Sequence, residues 1–352
     1  MVNIESIFDT ARIRLASDIH LTEGLPVMLR VYGNLLSINT DSILTEKDIE
    51  AYFHILLAEN IAKIDTYKKT RDIDFAYTDS QGDSYRINAY SKMGKPAMAI
   101  RRIERDAKSL EELILPPSIQ KVLQVKQWLF LVTGPTGSGK STTMVSLIEE
   151  INRSRSEHII TIEDPIEFIF TPKKSIFSQR EVWSDTLSFV TAIRAAMRED
   201  PNIVMVGEMR DAETVDAALN LAETGHLVFS TLHTSGSVQT INRIVQFFEP
   251  HIQTQARMRL ADSLFWVLSQ RLIPRQDQPG RIAIRELMFV TPGIRNMIKT
   301  GDLKQMKSAI ETGMQDGMIS LEKSAQLLDA RGIIKKPDYI GYIEGDEDLG
   351  SY

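Results

Sequence analysis

The sequence predicts an α/β protein in which a mostly parallel sheet is covered by helices, preceded by a smaller α+β domain. Two features of the 352 residues carry that expectation. From Ile119 onward, apolar runs of strand length alternate with stretches of helical spacing, the pattern of a sheet joined by helical crossovers. Before residue 103 the extended pieces are short and separated by turn residues, as in hairpins, with helices among them.

Taken in order, Ile4 to Ala16 is spaced as a helix, and SDIHLTEG, PVMLRVYG and LLSI follow as short strands, the last two divided by a turn at Gly33-Asn34. Thr45 to Ile64 puts Ile49, Tyr52, Phe53, Leu56 and Leu57 on one helical side. DIDFAYT and YRINAYS form a hairpin across the polar turn DSQGDS, and PAMAIRRI is a further strand. This first domain is expected to span 1–103, with a linker over 104–118 that contains Pro116-Pro117. The second domain, 119–290, has strands at LFLVTG, HIITIEDP, SIFSQREV, NIVMVGEM, HLVFSTLH and GRIAIRELM. Helices are expected at Thr186 to Glu199, Ala212 to Glu223 and Val238 to Phe248, with a longer one over Gln255 to Ile273. A helical portion over 291–340 and a disordered acidic tail over 341–352 complete the chain.

Composition narrows the class. Hydrophobic content of 43% and charged content of 25% are those of a folded globular protein. A net charge of −6 argues against nucleic acid as the main partner, because a phosphate-backbone binder shows a basic excess. There is no cysteine, hence no disulfide, thiolate zinc site or cysteine nucleophile, and the histidine spacings do not suggest zinc. No run reaches the roughly 18 apolar residues of a spanning helix, and the start lacks the apolar core of a signal peptide. A cytoplasmic chain that meets membranes only through a partner is expected.

The chemistry centres on WLFLVTGPTGSGKST, 128–142. A short buried-type strand ends in Gly134, Pro135, Thr136, Gly137, Ser138, Gly139, Lys140 and Ser141, a full match to G-x-x-x-x-G-K-[ST], and a helix that includes Thr142 follows. Glycines let main-chain N–H groups turn inward around a phosphate, and the helix start adds its dipole. Lys140 is expected to reach the β/γ-phosphates of ATP and Ser141 to ligate Mg2+. Phosphoryl transfer to water also needs a carboxylate to hold the water and cations for the charge that develops. Ile203 to Val206 delivers Glu208 just past a buried strand, beside the phosphate loop. TIEDPIEF places Glu163 similarly, with Asp164 and Glu167 nearby; either Glu163 or Glu208 could be the general base, and both are candidate metal ligands. His226 and His233 flank the strand HLVFSTL and could contact the phosphate or relay its presence. Arg86, Arg101 and Arg102 on the last two small-domain strands could reach a nucleotide only by domain folding or from a neighbouring subunit.

In this order and at these spacings, GPTGSGKST, TIEDPIEF, VGEMRDAETV and TGHLVFSTLHT resemble the PilT-type ATPases of the secretion-ATPase superfamily, the motors that retract type IV pili. In that family they are the Walker A, Asp box, Walker B and His box. ASDIHLTEGLPVMLRVYG resembles the start of the family's PAS-like N-terminal domain, and GIRNMI at 293–298 its AIRNLI element. The resemblance implies a RecA-like ATPase domain, a homohexamer with ATP between domains and subunits, and roles at the phosphate for Glu163, Glu208, His226, His233, Arg86 and Arg101. It also implies an inner-membrane platform protein as partner, with a paralogous motor ATPase as a further one. The extension and type II secretion ATPases carry an added N-terminal domain and a four-cysteine zinc module, so retraction is favoured. Gly293, Met297 and Lys299-Thr300 depart from the AIRNLI pattern, an element implicated in retraction as distinct from hydrolysis. The accessory retraction paralogue PilU, the DotB-type secretion ATPases and a non-catalytic nucleotide-dependent scaffold are the alternatives, the last opposed by intact Lys140, Ser141, Glu163 and Glu208.

Overall fold

The computed structural model describes residues 3–31, 33–38, 42–57, 61–103 and 106–344. The chain divides into two compact units, Met1–Arg105 and Asp106–Tyr352.

The first unit is a six-stranded antiparallel sheet of β1 (Ala16–Thr22), β2 (Met28–Val31), β3 (Asn34–Ser37), β4 (Asp72–Thr78), β5 (Ser84–Lys92) and β6 (Lys95–Ile103), in the order β3-β2-β1-β6-β5-β4. Three helices accompany it: α1 (Ile4–Ile13), α2 (Glu46–Leu56) and α3 (Ile61–Thr70). The single helix expected over Thr45 to Ile64 is thus two helices. The first starts in a capping box: the Thr45 hydroxyl accepts from the Asp48 amide (3.3 Å) and the Asp48 carboxylate accepts from the Thr45 amide (2.8 Å). Ile7, Phe8, Ile49 and Tyr52 pack with Ile19, Leu21, Ile87 and Ile100 of the sheet, and each such burial contributes roughly 1.5–3 kcal/mol. Phe8 stacks on Tyr85 at 4.2 Å. Buried Asp79 accepts from the Tyr85 hydroxyl (3.1 Å) and from Arg12 (2.6 Å), so the network under α1 leaves that carboxylate paired.

The second unit is a seven-stranded sheet in the order β13-β12-β7-β11-β10-β8-β9. Its strands are β7 (Trp128–Thr133), β8 (His158–Glu163), β9 (Ile176–Glu181), β10 (Ile203–Val206), β11 (Leu227–Leu232), β12 (Leu264–Pro274) and β13 (Arg281–Phe289). Every neighbouring pair is parallel except β12 and β13, so the sheet is mostly parallel, as the alternation predicts. The helices are α4 (Lys140–Ser154), α5 (Phe189–Ala196), α6 (Ala212–Glu223), α7 (Ser237–Gln246) and α8 (Gln253–Ser263), then α9 (Pro292–Thr300), α10 (Lys304–Thr312), α11 (Leu321–Ala330) and α12 (Lys336–Glu344). Central strands are covered on both faces, which is why β10 and β11 are buried at every position.

Two expectations change here. The helix expected over Gln255 to Ile273 ends at Ser263, and Leu264–Pro274 is strand β12. The run LFWVL, buried apart from half-covered Phe265, has no polar face, so periodicity cannot separate a buried strand from a buried helix, and pairing with β7 decides it. The stretch expected to be a linker packs into the larger unit: Leu110 joins its core with Ala107 and Leu115 against it, and Arg285 donates to the Leu113 carbonyl at 2.8 Å. Residues 341–344 continue α12, and the rest of the expected tail lies outside the described residues.

Candidate functional site

Strand register brings the sequence motifs to one place. Thr133 of β7 pairs with Leu232 of β11, Ser230 of β11 with Val206 of β10, and Val206 with Ile162 of β8. Because these strands are parallel, the segments that follow them, 134–141, 233, 207–208 and 163–167, emerge along the same edge of the sheet.

The loop between β7 and α4 is shaped by its glycines. Gly134, Gly137 and Gly139 have φ of 149°, 76° and 84°. A Cβ on Gly134 would collide with the Gln270 carbonyl and the Ser138 hydroxyl, so side chain and backbone conformation both exclude other residues there. Lys140 folds back across the loop, donating to the carbonyls of Gly134 (2.8 Å) and Pro135 (3.1 Å). Burial pulls its pKa below the ordinary lysine value, while Glu208 and Glu167 act in the opposite direction.

The loop is held from β12 by a residue the sequence analysis did not single out. Gln270, 1% exposed, donates from Nε2 to the Ser138 carbonyl (2.7 Å) and accepts at Oε1 from the Thr143 hydroxyl (2.9 Å). Both ends of the amide are used, which fixes the loop against the start of α4. A glutamine inside the apolar run LFWVLSQRLI was the available signal.

A cavity of about 400 Å³ opens beside this loop, lined among others by Thr136, Lys140, Ser141, Glu163, Glu208 and His233. Gly137 also lines it, whereas Pro135, Ser138, Gly139 and Thr142 belong to the loop and first helical turn without lining it. Glu208 has both carboxylate oxygens engaged, Oε1 by Arg210 and Oε2 by His233 Nε2 at 3.3 Å. The other ring nitrogen of His233 lies 3.4 Å from the Thr136 hydroxyl and 3.5 Å from Lys140 Nζ. His233 therefore bridges the loop and the β10 carboxylate. Glu163, 6% exposed, accepts from the Thr161 hydroxyl (2.7 Å) and the Glu167 amide (3.3 Å), with Gln179 Nε2 at 3.5 Å. Burial pushes its pKa up to about 7, against the downward pull of those donors.

That carboxyl makes stability depend on pH. A group raised from 4.5 to about 7 on folding favours the folded state below the lower value, and the benefit is lost as pH rises through the upper one. The ligand-free protein is expected to lose about 3 kcal/mol between pH 4.5 and 7.5 from this group alone. Glu163→Gln should flatten that part of the curve and raise the melting temperature at pH 8, measured by thermal unfolding of both proteins across the range. Parallel curves for the two would remove Glu163 as the cause.

Two candidate groups are placed elsewhere. His226 does not reach the cavity: it precedes β11 while His233 follows it, and six strand residues rising about 3.3 Å each carry the two rings to opposite edges of the sheet. Its ring nitrogen bonds instead to the Leu221 carbonyl (3.0 Å) and the Thr224 hydroxyl (3.1 Å). Arg86 and Arg101 belong to the first unit, directly opposite each other on β5 and β6. Arg101 donates to Asp18 at 2.9 Å, and Arg86 lies 3.8 Å from Asp74. Arg102 faces the other way, 3.6 Å from Asp83.

Among the described residues no three histidine or acidic side chains converge as a ready-made metal site. The donors present are nonetheless oxygens, the Ser141 hydroxyl and the Glu163 and Glu208 carboxylates, and this suits Mg2+, which takes one or two protein oxygens and completes its shell with phosphate and water.

Comparison with known proteins adds the family context. Residues 3–329 match the family described as type II/IV secretion system protein. The type IV pilus retraction ATPase PilT of Pseudomonas aeruginosa is 42% identical over 321 residues, covering 91% of this chain and 92% of its own. A crystal structure of the pilus retraction motor PilT with bound ADP superposes with a TM-score of 0.88 at 39% identity, covering 96% of both chains. The ATPase DotB of Legionella pneumophila superposes with a TM-score of 0.83 at 29% identity, covering 97% of this chain and 95% of that one.

Proposed function

The chain belongs to the type II/IV secretion system protein family, and on that footing we propose that it is an ATP-hydrolysing motor that powers retraction of a type IV pilus. The observation that carries the hydrolytic part is the convergence, on one sheet edge, of the glycine loop, Lys140, Glu208, Glu163 and His233 around one cavity. The retraction part is supported by the higher identity to PilT than to DotB, 39% against 29% over comparable coverage.

In this reading, loop N–H groups of 134–141 and the α4 dipole bind the β/γ-phosphates, and Lys140 moves from the loop carbonyls onto them. Ser141 with Glu163 or Glu208 would hold Mg2+, which would supply charge neutralisation at the phosphate oxygens. Glu208 or Glu163 orients the attacking water and takes its proton. His233, tied to the loop and to Glu208, reports whether the terminal phosphate is present. The chain acts as a homohexamer at the cytoplasmic face of the inner membrane; among the described residues no helix is long and apolar enough to cross one. Force passes to a membrane platform protein, with a paralogous motor as a second partner.

Arg86 and Arg101, the cations that the family resemblance assigns to the phosphates, stabilise charge on the transferred group in this reading. Replacing either with alanine is expected to lower turnover by roughly 10- to 100-fold while leaving the melting temperature within about 2 °C. Wild-type kinetics would return both to ordinary surface pairs with Asp74 and Asp18. The retraction reading is tested in the source cell. Deleting the gene should leave surface pili that fail to shorten, and the wild-type gene but not Lys140→Ala should restore shortening. Normal pilus shortening with a lost secreted substrate would point to a secretion ATPase instead.

A further inference from the structure

The cavity is lined by a further cation, Arg210, to which the sequence analysis gave no role. Arg210 follows Glu208 by two residues, and its side chain, 64% exposed, is hydrogen-bonded to the Glu208 carboxylate, with the Asp164 charge also attracting it. The backbone on either side is fixed. The Met209 amide donates to the Thr231 carbonyl (3.1 Å), and Asp211 caps α6 by accepting from the Thr214 amide at 2.8 Å. The Arg210 side chain thus projects from a backbone that is held on both sides.

The cavity's charges are unequal. Glu163, Asp164, Glu167 and Glu208 line it, against Lys140, Arg210 and His233. Lys140 is 8% exposed and already donates to two loop carbonyls, and His233 is anchored to Thr136 and Lys140. Arg210 is the cation with the fewest ties. Its guanidinium fork suits the paired oxygens of a phosphate. With Arg210 on Oε1 and His233 on Oε2, each Glu208 oxygen already accepts one donor, and departure of Arg210 opens the Oε1 position that it fills to a water molecule.

We propose that Arg210 is a catalytic residue: when ATP enters, it exchanges the Glu208 carboxylate for the oxygens of the terminal phosphoryl group, which frees Glu208 to act on water. This rests on the ATP-hydrolysis reading above. The water oxygen bonds to the γ-phosphorus, the bond from that phosphorus to the β–γ bridging oxygen breaks, and its electron pair leaves with ADP. The water proton passes to Glu208, and the guanidinium stabilises the charge that spreads over the equatorial oxygens.

The test is steady-state hydrolysis by the purified full-length chain, with binding of ADP and of ATPγS measured separately. Arg210→Ala should lower kcat by about 100- to 1,000-fold, weaken ATPγS at least 10-fold and leave ADP binding within about 3-fold. Arg210→Lys, which keeps the charge and loses the fork, should recover part of the ATPγS affinity. A kcat within 2-fold of wild type overturns the proposal. So does a rise in kcat, which would make Arg210 a mere restraint on Glu208, or equal losses of ADP and ATPγS, which would make it a prop for the loop. Failure of the underlying reading looks different: wild type and Lys140→Ala would then turn over ATP alike, whatever Arg210 does.

Discussion

Lys140→Ala should abolish ATP hydrolysis, with kcat/KM lower by at least about 1,000-fold and nucleotide binding weakened as well. The expectation follows from where the ammonium starts. It is buried and folded over the loop, donating to the carbonyls of Gly134 and Pro135, so it starts beside the backbone that would cradle the phosphates. Alanine removes the one cation held inside that loop, and no neighbouring lysine lines the cavity to replace it. The fold should survive, because the lysine's bonds are to loop carbonyls rather than to the core. Phosphate release from ATP by wild type and variant is the measurement, and full turnover in the variant would end the assignment of this loop as the ATP site.

Glu208→Ala is the second large effect. Nucleotide binding should persist while turnover falls by roughly 100- to 10,000-fold, the range for losing a positioned general base. Glu163 is the competitor, and the two acids are distinguished by environment. Glu208 is paired with cations at the cavity edge, whereas Glu163 is buried and titrates at about 7. If Glu163 were the base, the ligand-free group would be half protonated near neutrality, and kcat/KM should rise as pH increases through about 7. If Glu208 is the base, that rise through pH 7 should be missing. An unchanged rate in Glu208→Ala together with a lost one in Glu163→Gln would move the role to Glu163.

Local sequence was enough for the parts of this protein that depend on neighbours in the chain. Gly134 to Ser141 describes a turn that needs glycine at its positive-φ positions, followed by a helix start, and the mostly apolar β7, β10 and β11 announce a sheet covered on both faces. Those signals suffice for the α/β class and for placing the loop of Lys140, Glu208 and Glu163 at the C-terminal ends of strands, because chain direction puts whatever closes or follows a strand at that end.

Tertiary structure decided what depends on which strand lies beside which. Leu264 to Ile273 became β12 through pairing with β7, a contact that the residues' own spacing does not encode. That pairing is what brings Gln270 beneath the glycine loop, 132 residues away in sequence. His226 and His233 look equivalent in the sequence as bookends of one strand, yet a strand has two ends and only one of them meets the loop. The same geometry set Arg210 and His233 on opposite oxygens of Glu208. Hydrogen bonds between side chains are short-ranged and directional, so they follow from the fold's register and not from the order of residues that produces it.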